Sequence, residues 1–306
     1  MIEKFDIGLA YVWEYDEEFI HKFEEVFHAN NLTTFIVGYH NIEEVGERVK
    51  EKHLHFHFYF DRAWDVEESF EKLGHLLMRR RTQIFNPYKK VLHAIDKATM
   101  HLEFITAGLN VPYSIIIPPV KEREELFISL SHLAILGRPF IIKPCNTTGG
   151  GIGVVTGAET LHDVLHERKF NHEDKYLLQE KIYPALLEGR RAWFRVFYAF
   201  GKIIPVWWDD LTHRYQILYK EEIEKFNLKK LFQIVRTIYH TVELDFFSTE
   251  IVITSQHNFI VIDYVNDQCD LRFQSKHDDG VPDEIIFAII HEAKNEALKL
   301  KRKFRL

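Results

Sequence analysis

A lysine followed by a glycine-rich stretch is the feature of this sequence that most clearly suggests chemistry. In PFIIKPCNTTGGGIGVV (residues 139–155), Lys143 ends an apolar run, and four of the chain's 14 glycines follow at positions 149, 150, 151 and 153. Glycines let backbone N–H groups converge on phosphate oxygens, and a nearby lysine adds positive charge. The lysine precedes the glycines, so the stretch is not a P-loop. It predicts a phosphate-binding loop between two strands, with a flexible hairpin tip as the alternative.

Charged side chains within other apolar segments can complete such a site. Arg195 interrupts the apolar strand AWFRVFYAF, where a buried charge requires an anionic partner. Glu250 and Asp263 lie on the two arms of the hairpin STEIVIT–SQHN–FIVIDYV, where they can face each other. With the amide of Asn266 they supply oxygen ligands of the kind that Mg²⁺ prefers. Each of these charges, taken alone, can also be a paired or solvated side chain.

The elements that must position these residues follow from the apolar periodicity. Residues 1–86 alternate three strands with three helices, which predicts a parallel three-layer α/β domain. Its first strand-to-helix turn, YVWEYDEE, has no glycines, so a dinucleotide-binding fingerprint is absent. Residues 87–110 predict one helix that ends near Gly108, and residues 122–136 predict another that ends at Gly137. A strand lies between these two helices.

The remaining segments predict further strands and helices around the glycine loop. LHDVLHERKF reads as a helix and KYLLQEKIYP as a strand. A hairpin that turns at Gly201 follows, then one helix over residues 221–242, and then the hairpin that carries Glu250 and Asp263. A final helix begins near Pro282, because proline is favoured in a first helical turn.

Composition narrows the class of protein. The chain has 306 residues, 46% of them apolar and 28% charged, which is typical of a globular protein of two or three domains. The formal charge of −7 argues against a general nucleic-acid binder. No apolar run approaches the roughly 20 residues that span a bilayer, and the N-terminus lacks the pattern of a secretory signal. We therefore expect a cytoplasmic protein without nucleic-acid or membrane partners.

The cysteines and a histidine cluster leave alternatives open. Two cysteines, Cys145 and Cys269, are too few for a disulfide framework or a thiolate zinc site. Cys145 is either a reactive thiol beside the glycine loop or a small core residue. His53, His55 and His57 share one face of a strand, where they either bind a metal or form the less buried side.

The order and spacing of these segments resemble the ATP-grasp superfamily over about residues 1–290. The resemblance is closest to carboxylate–amine ligases typified by D-alanine–D-alanine ligases and ribosomal-protein glutamate ligases. It is carried by IDKATMHLEFITAGLNVPYSIIIPP, FIIKPCNTTGGGIGVV, QEKIYP, the Arg-Val strand at Arg195, and the thirteen-residue spacing of Glu250 and Asp263. It implies the ATP-grasp fold, a mixed α/β architecture with an N-terminal parallel-sheet preATP-grasp domain.

The resemblance also implies three domains and the parts that bind ATP. The preATP-grasp domain would cover residues 1–86. A central subdomain with the glycine-rich lid would cover 87–178, and a C-terminal subdomain with the metal site would cover 179–306. The residues implied to bind ATP are Lys97, Lys143, Thr148, Gly149, Gly150, Gly151, Gln179, Glu180, Lys181, Tyr183 and Glu188.

Each implied residue has a role in the family's pattern. Lys97 and Lys143 would contact the α- and β-phosphates, and the lid residues 148–151 would close over the β- and γ-phosphates. The QEKIYP hinge (residues 179–184) would hold adenine, and Glu188 would bind the ribose. Arg195 would reach the transferred phosphate and, with Lys143, carry the catalysis. The metal ligands would be Glu250, Asp263 and Asn266, binding Mg²⁺, with Mn²⁺ as an alternative ion.

The chain departs from the family's pattern at the metal strand. The family usually reads Glu-x-Asn before a Ser/Pro-Gly turn, whereas this chain reads Asp263-Tyr264-Val265-Asn266-Asp267. The extra residue would turn Asn266 to the wrong face unless a β-bulge corrects it. The turn itself is replaced by a segment with Asp270 and Arg272, in a loop that often meets the acceptor, so the resemblance does not identify the substrate.

The implied function is an ADP-forming ligase. It would transfer a phosphoryl group from ATP to a small-molecule or peptide carboxylate, and an amine or similar nucleophile would then attack the acyl phosphate. Relatives with this layout are often dimers, so a homodimer is an open expectation. Trp207, Trp208 and Tyr215 either line an acceptor pocket or pack in the core.

Two other functions fit the same scaffold. One is a small-molecule kinase, which would need additional basic side chains. The candidates for that role are Arg190, Arg191, His213 and Arg214. The other is a protein that binds ATP without catalysis.

Overall fold

The N-terminal part of the chain folds around a parallel sheet. The computed structural model describes residues 2–146 and 151–304. The strands of this sheet, in the order β2-β1-β3-β4, are β1 (Glu3–Ala10), β2 (Thr34–Val37), β3 (Leu54–Asp61) and β4 (Gln83–Phe85). The helices between them are α1 (Glu17–His28), preceded by a 3₁₀ turn at Glu14–Asp16, α2 (Ile42–Lys50) and α3 (Glu68–Arg79).

Apolar side chains on both faces of this sheet explain its layered form. Phe19 and Phe23 of α1 pack with Phe58 and Phe60 on one face. On the other face, α2 and α3 pack with residues that include Phe56 and Tyr59. The predicted parallel α/β arrangement is confirmed, but β4 was not predicted, since three residues are too few to show a period.

The central part of the chain combines four helices with an antiparallel sheet in the order β5-β8-β6-β7. The helices are α4 (Tyr88–Ile95), α5 (Lys97–Thr106), α6 (Leu130–Leu136) and α7 (Leu161–Glu167). The strands are β5 (Ser114–Ile117), β6 (Phe140–Pro144), β7 (Val155–Ala158) and β8 (Tyr176–Glu180). The predicted strands on either side of the glycine loop are therefore β6 and β7.

The C-terminal part of the chain is a five-stranded antiparallel sheet in the order β13-β12-β11-β14-β15. Its strands are β11 (Trp193–Ala199), β12 (Lys202–Asp209), β13 (Arg214–Ile217), β14 (Phe246–Ile253) and β15 (Phe259–Asn266), and a small hairpin of β9 (Leu186–Leu187) and β10 (Arg190–Arg191) precedes them. The helices are α8 (Lys220–Lys225), α9 (Lys230–Val242) and α10 (Asp283–Phe304).

Three predicted helices are shorter or divided in the structure. The helix expected over residues 87–110 breaks at Asp96, whose backbone is extended and whose side chain caps α5. The helix expected over 122–136 begins only at Leu130. The helix expected over 221–242 divides into α8 and α9 around Asn227, which has a φ of 53°.

The five-stranded sheet has apolar layers on both faces. One face packs against α4, α5 and α9. The other face packs against α10 and against the α1 side of the N-terminal sheet. The charged residues of β11, β14 and β15 lie on this second face. None of the helices in the described part of the chain combines the length and apolar character that a bilayer crossing requires.

Candidate active site

A row of three charged residues crosses the five-stranded sheet. Arg195 of β11 lies opposite Glu250 of β14, and Glu250 lies opposite Asp263 of β15. Residues directly opposite in a sheet point to the same face, so all three side chains share one face. Arg195 forms an ion pair with Glu250, and the two side chains are only 11% and 13% exposed. The prediction that Glu250 and Asp263 face each other is confirmed.

Asn266 shares that face because β15 is irregular. Asn266 lies opposite Ser248, and the register shifts between this pair and the pair of Glu250 with Asp263. Tyr264 and Val265, adjacent in sequence, both pack into the core on the opposite face, which absorbs the extra residue. The β-bulge that the sequence required is therefore present, and the Asn266 side chain is on the same side as the two carboxylates.

Lys143 reaches this row from the neighbouring sheet. It lies on β6, and its Nζ donates to the carbonyl of Ile262 on β15 at 3.2 Å. Burial lowers the pKa of Lys143, the Asp263 and Glu250 carboxylates oppose that effect, and Lys97 adds to it. Lys97 is held beside the end of β6 because its backbone N–H donates to the Cys145 carbonyl at 3.0 Å. Two lysines and two carboxylates thus meet between the sheets.

Arg195 has an environment that keeps its charge. Burial disfavours the charged guanidinium, yet Tyr215, Glu250 and Asp263 outweigh it and raise the pKa of Arg195. The guanidinium lies over the Trp208 ring at 4.8 Å from its centroid. Its Nε is buried without a hydrogen-bond partner among the described residues. Arg195 therefore retains a donor for a further acceptor.

The donor set fits a nucleotide phosphate with a hard divalent cation. Two carboxylates and an amide oxygen on one face are typical ligands of Mg²⁺. Lys97 and Lys143 repel each other electrostatically, and an anion between them would relieve that repulsion. This set contains only two acidic side chains, and no group of three or more His, Cys, Asp or Glu side chains suited to a metal ion occurs in the described ranges.

The predicted hinge residues lie along the end of β8. The Glu180 carboxylate accepts from the Tyr113 backbone N–H at 2.7 Å, and the Lys181 Nζ donates to the Thr156 carbonyl at 3.2 Å. Tyr183 is 63% exposed. Gln179 is fully buried, and its amide nitrogen lies 3.4 Å from the Tyr264 hydroxyl, so it braces the strand. Contacts of these residues with adenine remain predictions.

The other residues implied for ATP are more scattered. Glu188 lies on the surface in an ion pair with Lys225, with a φ of 49°. Gly151 is exposed with a φ of 70°. Thr148, Gly149 and Gly150 lie outside the described residues. The lid and ribose roles of these positions therefore remain predictions.

Two contacts of the candidate site residues were not apparent from the sequence. The indole Nε1 of Trp193 donates to Glu250 at 3.0 Å. Asp96 accepts from Ala98 N at 2.9 Å and pairs with Lys175 at 2.5 Å, which fixes the start of α5 beside Lys97. The Asp-Lys pair in the sequence pointed to Lys97, but the cross-strand indole contact depends on strand register, which no local pattern specifies.

The structure also resolves the alternatives for the cysteines and histidines. Cys145 and Cys269 are both fully buried, so both are core residues, and burial raises the pKa of their thiols to about 12 and about 11. His55 and His57 stand side by side on β3 with ring centroids 5.2 Å apart, while His53 precedes the strand. Within residues 2–146 and 151–304, they belong to no cluster suited to a metal.

The aromatic candidates for an acceptor pocket separate into two groups. Trp207 is buried against Phe194 on the core side of the sheet, so it packs in the core. Trp208 is half-buried on the charged face, between Arg195 and Tyr215. Trp208 is thus the candidate that lies beside the charged row.

The loop after β15 joins the site to the N-terminal sheet. Trp64 donates to Asp267 at 2.8 Å, and Arg272 pairs with Asp270 at 2.7 Å and with Asp279 at 2.9 Å. Burial raises the pKa of Asp267 to about 6. At the end of β3, burial likewise raises the pKa of Asp61 to about 7.

Comparison with known proteins gives the fold a precedent. No family model matches the chain, and no curated protein matches it in sequence. The solved structure of the macrocyclase MdnB from Microcystis aeruginosa MRC is similar with a TM-score of 0.62 at 12% identity, covering 93% of this chain and 98% of that one. D-alanine–D-alanine ligase from Bacillus anthracis, complexed with ATP, has a TM-score of 0.62 at 13% identity, with 98% and 99% covered.

A third structure adds a peptide complex. The ATP-grasp ligase PsnB, complexed with precursor peptide PsnA2 and AMPPNP, has a TM-score of 0.60 at 15% identity, covering 95% of this chain and 99% of that one. The TM-scores show that the folds are similar, and at these low identities they show the fold alone. The parallel N-terminal sheet, the two antiparallel sheets and these neighbours show that the chain has the fold of these ATP-grasp ligases.

Proposed function

We propose that this chain is an ATP-dependent, ADP-forming ligase that activates a carboxylate as an acyl phosphate and couples it to an amine or similar nucleophile. The observation that carries the proposal is the row of Arg195, Glu250 and Asp263 facing Lys143 across the two sheets. ATP would supply the phosphoryl group, and a divalent cation held by Glu250, Asp263 and Asn266 would neutralise phosphate charge.

The chain's own residues would act mainly by position and charge. Lys143, half-buried and close to both carboxylates, would bind phosphate oxygens with Lys97. Arg195, with a buried unpaired Nε, would donate to the transferred phosphate and then to the developing oxyanion. Trp208 packs against the guanidinium and limits its orientations.

Peptides as well as small molecules are proposed as substrates. PsnB, a structural neighbour, is complexed with a precursor peptide, and D-alanine–D-alanine ligase joins the small molecules of its name. The segment 267–272, which differs from the family's Pro-Gly turn, would meet the acceptor. A homodimer remains an expectation from the resemblance, as does Mn²⁺ as an alternative ion, and a cytoplasmic location remains an expectation from the composition and the N-terminal sequence.

The kinase alternative has less support from the structure. Its candidate arginines are each engaged in an ion pair, and His213 stacks on Trp208 at 5.6 Å. The pairs are Arg190 with Glu222, Arg191 with Asp210, and Arg214 with Asp278. Binding without catalysis is less favoured because the lysines, the arginine and the carboxylates are all retained and close together.

The test combines substrate screening with hydroxylamine trapping. Purified protein is incubated with ATP, Mg²⁺ and panels of amino acids, short peptides, hydroxy acids and sugar phosphates, and ADP release is measured. A ligase should form a hydroxamate when hydroxylamine replaces the nucleophile, whereas a kinase should not.

The Lys143→Ala protein provides the control for the site. Loss of a charge at the phosphates should lower turnover by about 10²–10³-fold while unfolding stays cooperative. Normal turnover in that variant would show that Lys143 does not bind the phosphates. If ADP release were accompanied by products phosphorylated on a hydroxyl group, the protein would be a kinase and not a ligase.

A further inference from the structure

We infer that Trp193 is a positioning residue for the divalent-cation site, because its indole N–H fixes the Glu250 carboxylate beside Asp263. The inference rests on the proposed function, and it assigns a task to a residue that the ATP-grasp resemblance leaves without one. Trp193 does not touch the reacting atoms in this scheme. It acts through Glu250.

The strand register brings the indole to the carboxylate. Trp193 pairs with Val252 across β11 and β14, two positions along from the pair of Arg195 with Glu250. Trp193 and Arg195 therefore project to the same face. The Trp193 Nε1 donates to Oε2 of Glu250 at 3.0 Å, while Arg195 contacts Oε1. Both oxygens of Glu250 are thus held from β11.

The two donors differ in what they can do when a nucleotide is present. Arg195 is a cation with a further unpaired donor, and the proposed function directs it to a phosphate. An indole N–H is neutral and donates only, so it can orient a carboxylate without competing for its charge or binding the cation. Trp193 is therefore the contact that can keep Glu250 oriented while Arg195 engages phosphate. Such hydrogen bonds to metal ligands commonly change metal affinity by about 10–100-fold.

The chain contains a matched pair that separates positioning from ordinary packing. Trp207 also donates an indole hydrogen bond to a carboxylate, from its Nε1 to Glu222 at 3.2 Å. Trp207 is buried on the core side of the same sheet, away from the charged row. Trp207→Phe thus removes the same type of bond outside the site. If Trp193 only packs, the two phenylalanine variants should behave alike.

The experiment measures cation affinity without relying on turnover. Mn²⁺ is titrated into wild-type, Trp193→Phe and Trp207→Phe proteins loaded with non-hydrolysable AMP-PNP, and free Mn²⁺ is followed by electron paramagnetic resonance. We expect the Mn²⁺ dissociation constant to rise about 10-fold or more in Trp193→Phe and to stay within about twofold of wild type in Trp207→Phe. Equal affinities in the two variants would overturn the positioning role.

A second measurement uses the wild-type protein, in case Trp193→Phe does not fold. The five tryptophans give separate indole N–H signals in a ¹⁵N-labelled sample. The Trp193 signal should shift when Mg²⁺ is added to the AMP-PNP complex, and the Trp207 signal should not. An unmoved Trp193 signal would overturn the inference. If wild type binds no Mn²⁺ with AMP-PNP, the proposed function has failed before any variant is compared.

Discussion

Asp61 is a buried carboxyl group whose protonation should make the stability of the fold depend on pH. It is 5% exposed at the end of β3, accepts from the Ala63 N–H at 2.9 Å, and contacts the Tyr88 hydroxyl. Burial raises its pKa to about 7, from an ordinary 3.8. The folded protein therefore holds this proton more tightly than the unfolded chain does. The stability contributed is complete below about pH 4 and is lost as pH rises through about 7.

Asp61→Asn should reduce this loss of stability. An uncharged amide can keep a hydrogen bond to the Ala63 N–H without burying a charge. We expect the wild-type melting temperature to fall from pH 5 to pH 8, and the fall to be smaller in Asp61→Asn. Below about pH 4, where Asp61 is protonated in both the folded and the unfolded protein, the two proteins should melt close together, which serves as the internal control. Parallel pH profiles would show that Asp61 titrates normally in the fold.

At this scale the sequence identified residue types better than contacts. Arg195 in an apolar strand, and Glu250 and Asp263 in a hairpin, stood out because charge is unusual in such segments. Trp193 did not stand out, because a tryptophan in an apolar strand is ordinary. Its contact with Glu250 exists only once β11 and β14 are paired in one register.

The N-terminal end of α5 positions Lys97, one of the candidate site residues. Asp96 caps this helix through Ala98 N and Thr99 N, and its other oxygen pairs with Lys175 next to β8. The cap fixes the helix to the strand, and Lys97 is the first residue of that helix. Loss of the cap should therefore affect both the stability of the fold and nucleotide binding.

Asp96→Ala should destabilise the protein by about 1 kcal/mol through the lost cap, with an added cost from the unpaired Lys175. Asp96→Asn retains an acceptor for the cap and should recover most of the first loss. Urea unfolding measures both, and AMP-PNP affinity should weaken more in the alanine variant. Equal stabilities of the two variants would mean that the ion pair, and not the cap, holds α5.

Elements within apolar segments bounded by glycine, proline or polar residues were predictable from the sequence, whereas interrupted helices and several short strands were not. Two nearly continuous apolar runs on either side of Gly201 indicated the hairpin of β11 and β12, and Gly201 has a φ of 101° in the structure. The predictions of two continuous helices were wrong for local reasons, because Asp96 and Asn227 adopt non-helical backbone conformations within otherwise helical patterns. Strands of two to four residues, such as β9, β10 and β13, are too brief to show a period.

On the scale of the whole molecule, the candidate site joins two sheets. Lys143 belongs to the central sheet, and Glu250 and Asp263 belong to the C-terminal sheet. The hydrogen bond from Lys143 to the Ile262 carbonyl connects the two sheets. A ligand that binds both sides should stabilise the folded chain as a unit. This is the expectation for any ligand that binds only the native state.

AMP-PNP with Mg²⁺ should raise the melting temperature, since a ligand at a hundredfold excess over its Kd adds about 2.7 kcal/mol. Thermal unfolding followed by fluorescence would measure the shift. EDTA should diminish it, and Lys143→Ala should nearly abolish it. A shift of equal size in Lys143→Ala would place the nucleotide away from the cleft between the sheets.

The irregular pairing of β15 bears on how such sites can be found. Tyr264 and Val265 turn inward together, and Asn266 still faces the same way as Asp263. The number of residues between Asp263 and Asn266 therefore does not by itself determine whether both side chains lie on the same face. A search that demands one constant interval would pass over this protein, whereas one that tolerates a single inserted residue would retrieve it.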